Sequence, residues 1–264
     1  MRLPDAFRYL IWPLALALMP VAAIAAECSA RSGDHAAPLL ELYTSEGCSS
    51  CPPADKWLSS IAAAGFPADQ VVALAFHVDY WDYIGWQDRF AQPGFSARQR
   101  QAAARGKAAF VYTPQVLLNG ADFRDWQQNS RFTQAIASSL KQTARANLGL
   151  NLSTPAAGEM RVIASAQVIR ADDRKHADVF IALYENKLKS IVSAGENSGR
   201  LLEHDYVVRE WFGPYKLDEQ ADGSWQRQLA LKPEWKGRAA GVVTFVQDRS
   251  NGNVLQALAL KLCS

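Results

Sequence analysis

Cys48 and Cys51 bracket two serines, and this C-x-x-C spacing is the strongest chemical signal in the chain. The apolar run Leu39–Thr44 reads as a strand just upstream, and Pro52–Ala64 reads as a helix just downstream. A strand that delivers a cysteine to a helix start sets its sulfur near unpaired backbone N–H groups and the positive end of the helix dipole. That setting lowers a thiol pKa from its free value of about 8.5 and produces a nucleophilic thiolate near neutral pH. Cys48 is therefore expected to be the exposed attacking sulfur, with Cys51 in the first helical turn resolving a mixed disulfide. The same spacing also suits half a zinc site or a structural disulfide. Zinc takes four ligands, and Cys28 and Cys263 lie too far along the sequence to suggest a second pair.

Pro114, in Tyr112-Thr113-Pro114-Gln115, stands between the strand-like runs Phe110–Tyr112 and Gln115–Leu118. Proline removes a ladder donor, so its place there needs a specific use. A cis Thr113–Pro114 bond facing the cysteine pair supplies one. A second cluster comprises His77, Asp79, Tyr80, Trp81, Asp82, Tyr83 and Trp86. It reads as an aromatic lip for a partner polypeptide, as a soft-ion site in which His77 joins the two thiolates, or as a strand end capping the core. His204 reads as a solvated strand histidine. Arg98, Arg100, Arg105 and Lys107 read as the wet face of a polar helix over Ser96–Arg105. Gly195–Gly199 reads as a hairpin turn, and no G-x-G-x-x-G, P-loop, H-E-x-x-H or G-x-S-x-G motif occurs.

The runs Leu42–Asp55 (LYTSEGCSSCPPAD), His77–Trp86 (HVDYWDYIGW) and Val111–Gln115 (VYTPQ) resemble the secreted thioredoxin-like family DUF1223, and the resemblance extends over most of the chain. It implies a thioredoxin fold in which Cys48 and Cys51 are the redox pair and Pro114 is the cis-proline. Thr113, Trp81 and Trp86 are then the candidate substrate contacts. Three departures from ordinary thioredoxins stand out. Pro52 biases Cys51 away from helical backbone angles. Cys51 and Pro114 are 63 positions apart, which is long. Leu42 occupies the place of the usual buried acid, leaving Glu41, Asp79 or Asp82 for proton transfer.

These residues need a scaffold, and the chain is long enough to provide one. Its 264 residues are 49% hydrophobic and 20% charged, with formal charge +2. That excludes a disordered polyelectrolyte and gives no support for nucleic-acid binding. Residues 1–26 carry Arg2 and Arg8, an apolar run from Leu10 to Ile24 and an Ala23-Ile24-Ala25 cleavage pattern. This reads as a cleaved signal peptide, too short in its apolar part to span a membrane stably. Export makes the remaining cysteines meaningful, and Cys28 and Cys263 at the two ends are expected to form a structural disulfide.

Residues 36–147 alternate strand and helix patterns, closing with a helix marked by Phe132, Ile136 and Leu140. Residues 148–264 switch to period two and suggest a small antiparallel β-sandwich-like domain. The expected protein is thus α/β thioredoxin-like followed by a β-rich domain. Its expected function is thiol–disulfide exchange with protein substrates and a redox partner protein, with no cofactor or metal. The alternative is a non-enzymatic module, holding a metal or docking a partner, whose Cys48–Cys51 disulfide is structural.

Overall fold

The structure, a computed structural model, describes residues 26–156, 158–230 and 239–263. The expected signal segment lies outside these apart from Ala26. In the first half, β1 (Glu27–Arg31), β2 (Leu39–Thr44), α1 (Pro52–Ser60) and β3 (Val72–His77) lead to a 3-10 turn (Asp82–Ile84). Then come α2 (Pro93–Arg105), β4 (Gln115–Leu118), β5 (Ala121–Asp122), a second 3-10 turn (Arg124–Gln127) and α3 (Asn129–Leu140). The second half holds β6 (Ala146–Ala156), β7 (Glu159–Val168), the short α4 (Ala171–Arg174), β8 (Ala177–Glu185), β9 (Leu188–Ile191) and β10 (Leu201–His204). It ends with β11 (Val207–Lys216), β12 (Asp222–Ala230), β13 (Ala240–Asp248) and β14 (Val254–Lys261).

The fold is mixed α/β, with sheet predominating. An eight-stranded sheet has the order β14-β13-β8-β11-β3-β2-β4-β5, and a four-stranded sheet has the order β1-β6-β7-β12. Strands β2 and β3 are parallel, while β4 and β5 complete that end antiparallel. The expected free-standing β-sandwich is corrected here. Strands β8, β11, β13 and β14 extend the sheet begun by the first half, with Val207 of β11 beside Ala75 of β3. The expected boundary at 147/148 falls inside β6, and β1, from before residue 36, belongs to the smaller sheet.

Both faces of the large sheet are covered, which is why β2 and β3 read as unbroken apolar runs. On one side Leu40 and Leu42 meet Leu58 of α1 and Phe132 and Ile136 of α3. On the other, Leu39 and Tyr43 share a cluster with Phe76, Phe95 of α2 and Phe245. The smaller sheet lays Leu150, Leu152, Met160 and Val162 against Ile181, Leu183 and Val242. Its solvated outer face explains the period-two pattern of β7.

Three local expectations shift. Helix α1 stops at Ser60, short of Ala64, and Phe110–Tyr112 forms no strand. Helix α2 begins at Pro93, whose fixed φ suits a first helical position. The β4–β5 turn uses Asn119 and Gly120 at φ +52° and +83°, the pair of left-handed residues a tight hairpin demands. Cys28 and Cys263 are disulfide-bonded with Cα atoms 5.6 Å apart, tying β1 to the end of the chain beyond β14.

Candidate functional site

Cys48 and Cys51 form a disulfide with Cα atoms 5.4 Å apart. Cys51 is the N-cap of α1, and Cys48 precedes it by one turn, accepting a bond from the Cys51 N–H at 3.2 Å. The bias expected from Pro52 does not prevail: Cys51 has φ −76° and ψ −37°. The N–H groups of Ala54 and Asp55 both donate to its carbonyl, at 2.9 and 3.1 Å, and hold that turn closed. The Thr113–Pro114 bond is cis. Because Tyr43 of β2 lies opposite Gln115 of β4, Pro114 falls at the end of β2 from which the chain runs to Cys48. Trp81 ties these parts together. Its Nε1 donates to Thr113 Oγ1 at 2.7 Å, and a Cβ at Gly47 would come within 3.2 Å of Trp81 Cβ.

The expectation of an exposed attacking sulfur is overturned. Both cysteines are 0% exposed, although Ser49 and Ser50 between them are exposed. The segment 192–200 between β9 and β10, contributed by the second half of the chain, is bonded to the backbone of the loop that carries the pair. Asn197 Nδ2 donates to the carbonyls of Glu46 (2.9 Å) and Cys48 (3.0 Å). The Ser49 N–H donates to Glu196 Oε2 at 3.0 Å, and Arg200 Nη1 fixes Asn197 Oδ1 at 2.7 Å. Gly195, at φ +71°, sits against Trp86 and Ile84. Sequence reading missed Asn197 and Glu196. Their only signal was the glycine-flanked turn, which gave no hint of the loop it would meet.

The residues expected to move protons are engaged with other partners. Glu41 points to the α2 face of β2, away from α1, where Arg98 Nε binds it at 2.7 Å and the Tyr43 hydroxyl donates to it at 3.3 Å. Arg98 is therefore buried, not solvated as expected, whereas Arg100 and Lys107 are exposed. Asp79 is engaged by the Ser96 hydroxyl at the start of α2. Asp82 Oδ1 accepts the Asp88 N–H at 3.2 Å, and burial raises the Asp82 pKa.

A different ionisable network flanks the cysteines. Asp55, one turn after Cys51, accepts from Thr44 Oγ1 at 3.1 Å. His204 of β10 places Nδ1 3.9 Å from Asp55 Oδ1 and Nε2 3.4 Å from Glu46 Oε1. Trp86 Nε1 donates to the second Glu46 oxygen at 2.8 Å. Asp88 accepts from the Glu46 N–H at 2.9 Å and pairs with His77 Nδ1 at 2.6 Å. The two imidazole rings meet edge to face at 4.9 Å.

The solvated reading of His204 is thus corrected: the residue is 2% exposed. Burial pulls its pKa down, but the Asp55 and Glu46 carboxylates outweigh that and carry it up to about 10. Burial likewise pushes Glu46 and Asp88 up, and their histidine partners win, leaving both carboxyls below the usual range. A groove of about 320 Å³ opens between α1 and β10, bounded by Pro52, Lys56 and Leu201 and reaching Asp55 and His204.

His77 pairs with Asp88 through Nδ1 and meets His204 edge to face, while its buried Nε2 has no hydrogen-bond partner among the described residues. Among the described residues, no group of three or more His, Cys, Asp and Glu is arranged to hold a metal. Of the aromatic cluster, Tyr83 is 83% exposed, whereas Trp81 and Trp86 are half-buried and hydrogen-bonded as described above.

The sequence from residue 39 to 247 matches the family model described as Protein of unknown function (DUF1223), and the chain belongs to that family. None of the curated proteins matches it significantly. Two solved structures share its fold. A crystal structure of a protein from Agrobacterium tumefaciens is 23% identical, with TM-score 0.54, covering 87% of this chain and 96% of that one. HBP35 of Porphyromonas gingivalis is 15% identical, with TM-score 0.61, covering 88% of this chain and 76% of that one.

Proposed function

We propose that this protein is an exported thiol–disulfide oxidoreductase whose redox pair is Cys48 and Cys51, acting on protein thiols and disulfides and reset by a redox partner protein. The observation that carries this reading is the Cys48–Cys51 disulfide at the head of α1, reached from the same end of β2 at which Pro114 lies. The strand order β3-β2-β4-β5, with one parallel and two antiparallel pairings, supports a thioredoxin-like core over β2 to α3. The signal-like leader and the two disulfides support export to an oxidising compartment. Among the described residues, no helix is long and apolar enough to cross a membrane.

In the reducing direction the Cys48 thiolate attacks a partner disulfide, forming a Cys48–partner bond and releasing one partner thiolate. Cys51, deprotonated, then attacks Cys48 Sγ, closing the internal disulfide and expelling the second partner thiolate. The partner gains two electrons and, from water, two protons. Oxidation of a partner dithiol is the reverse. Both sulfurs are buried in the disulfide form, so either direction requires Cys48 to become accessible first.

Cys48→Ser tests the reading. The wild-type protein should reduce insulin disulfides or oxidise a dithiol peptide catalytically, and the variant should not; equal turnover in the two overturns it. The complete burial of both sulfurs favours a second reading, a docking module with a structural disulfide. A redox titration separates them: catalytic pairs lie between roughly −270 and −120 mV, and structural disulfides below about −300 mV.

A further inference from the structure

The helix expected to present a wet basic face instead turns two of its arginines toward a cavity on the α2 side of the large sheet. We infer that this cavity, about 280 Å³ between α2 and strands β8, β11 and β13, binds a small oxyanion, a carboxylate or a phosphate. The inference is independent of the thiol chemistry.

Arg98 and Arg105 are seven positions apart on α2 and so share one helix face. The Arg98 guanidinium is held by four aromatic rings, lying 4.8 Å from Trp211, 5.1 Å from Phe180, 5.3 Å from Phe245 and 5.7 Å from Phe76. Its Nε is used by Glu41, but Nη1 and Nη2 share a single neutral acceptor, Gln247 Oε1, at a long 3.3 Å each. A guanidinium carries five N–H donors, and Arg98 is among the residues that line the cavity.

Arg105 is the more telling residue. Its Nε is buried and has no hydrogen-bond partner among the described residues. Glu41, the carboxylate that acts on both guanidiniums, is already bound to Arg98. Burial and the like charge of Arg98 push the Arg105 pKa down, as expected of positive charge awaiting a counter-ion. Across the cavity, Asp178 does not supply that charge, because Lys216 (2.5 Å) and Arg249 (3.2 Å) already hold it. The four cations therefore outnumber the two carboxylates by two.

An arginine clamp fixing α2 to the sheet accounts for Arg98 and Glu41. It leaves the orphaned Arg105 donor unexplained, and buried donors are seldom left unmade. An oxyanion between the two guanidiniums would satisfy both, with Phe180 and Trp211 forming an apolar wall for the rest of the ligand.

The test is calorimetric titration of the purified protein with sodium benzoate and, separately, with inorganic phosphate. Saturable one-to-one binding of at least one anion at millimolar concentration or below is expected, and the tighter of the two names the source class. Arg105→Met should weaken it about tenfold or more, roughly one charge-assisted contact's worth. Arg105→Lys should lose less. Ala97→Trp, which fills the cavity from an exposed position on α2, should abolish binding and serves if Arg105→Met fails to fold. Absence of saturable binding by either anion, or binding that survives both Arg105→Met and Ala97→Trp, overturns the inference.

Discussion

Asn197 and Cys48 stand 149 positions apart, yet the Asn197 side-chain amide donates to the Cys48 carbonyl at 3.0 Å. The same amide also reaches the Glu46 carbonyl at 2.9 Å. One side chain from the second half thus bonds to the loop that carries the disulfide. The contact ties the 192–200 segment to the backbone on either side of Gly47.

Asn197→Ala should therefore expose the disulfide. Two neutral hydrogen bonds worth about 1 kcal/mol each would shift the opening equilibrium about tenfold to thirtyfold. The rate at which a water-soluble phosphine reduces Cys48–Cys51 should rise by that order, followed as thiol release. An unchanged rate would mean the 192–200 segment does not limit access.

His204 makes stability depend on alkaline pH. Asp55 and Glu46 carry the folded-state pKa from the ordinary 6.5 up to about 10, so the native state holds a proton that the unfolded chain releases between those values. Its contribution is whole below pH 6.5 and is lost as pH rises toward about 10. Urea unfolding should show stability falling by roughly a few kcal/mol across that window. His204→Gln should flatten the fall and lower stability at its acid end, where Glu46 and Asp55 lose their cation. A variant profile parallel to wild type would rule His204 out as the cause.

The Cys28–Cys263 disulfide closes a separation of 235 residues. Replacing both cysteines by serine should cost about 2–5 kcal/mol, the usual range for loss of a native disulfide. Denaturant midpoints would report it, while the phosphine reduction rate of Cys48–Cys51 stays as it was. A loss too small to move the midpoint would show that the strands already hold the ends together unaided.

Glu41 belongs to the arginine clamp, and Glu41→Leu separates that role from proton transfer. Leaving the Arg98 guanidinium buried without its carboxylate should destabilise by about 3–5 kcal/mol. The pH profile of Cys48 alkylation in the reduced protein should be unmoved, since Glu41 faces away from α1. A displaced profile would return Glu41 to the chemistry.

What could be read in the sequence was what local rules encode. The Cys48–Cys51 spacing, the unusual place of Pro114, the Asn119-Gly120 turn and the pairing of Cys28 with Cys263 each follow from a few residues or from the chain ends. Side-chain partners brought together by the sheet were hidden. Arg98 looked like a solvated charge because its ring partners come from β3, β8, β11 and β13. His204 looked solvated because its carboxylate neighbours lie about 150 positions upstream. Glu41 failed for a simpler reason: strand alternation sends it to the opposite face from Leu40 and Leu42.

The join between β3 and β11 has a practical meaning for anyone wishing to transplant the first half alone. Tyr206, just ahead of β11, offers its carbonyl to the Ala75 N–H at 2.8 Å, and Val207 continues the ladder. A fragment cut near residue 147 would bare that flank of β3 as a sticky template for neighbouring molecules. It would also leave its disulfide unguarded. The two halves of the sequence share one sheet, and neither completes it alone.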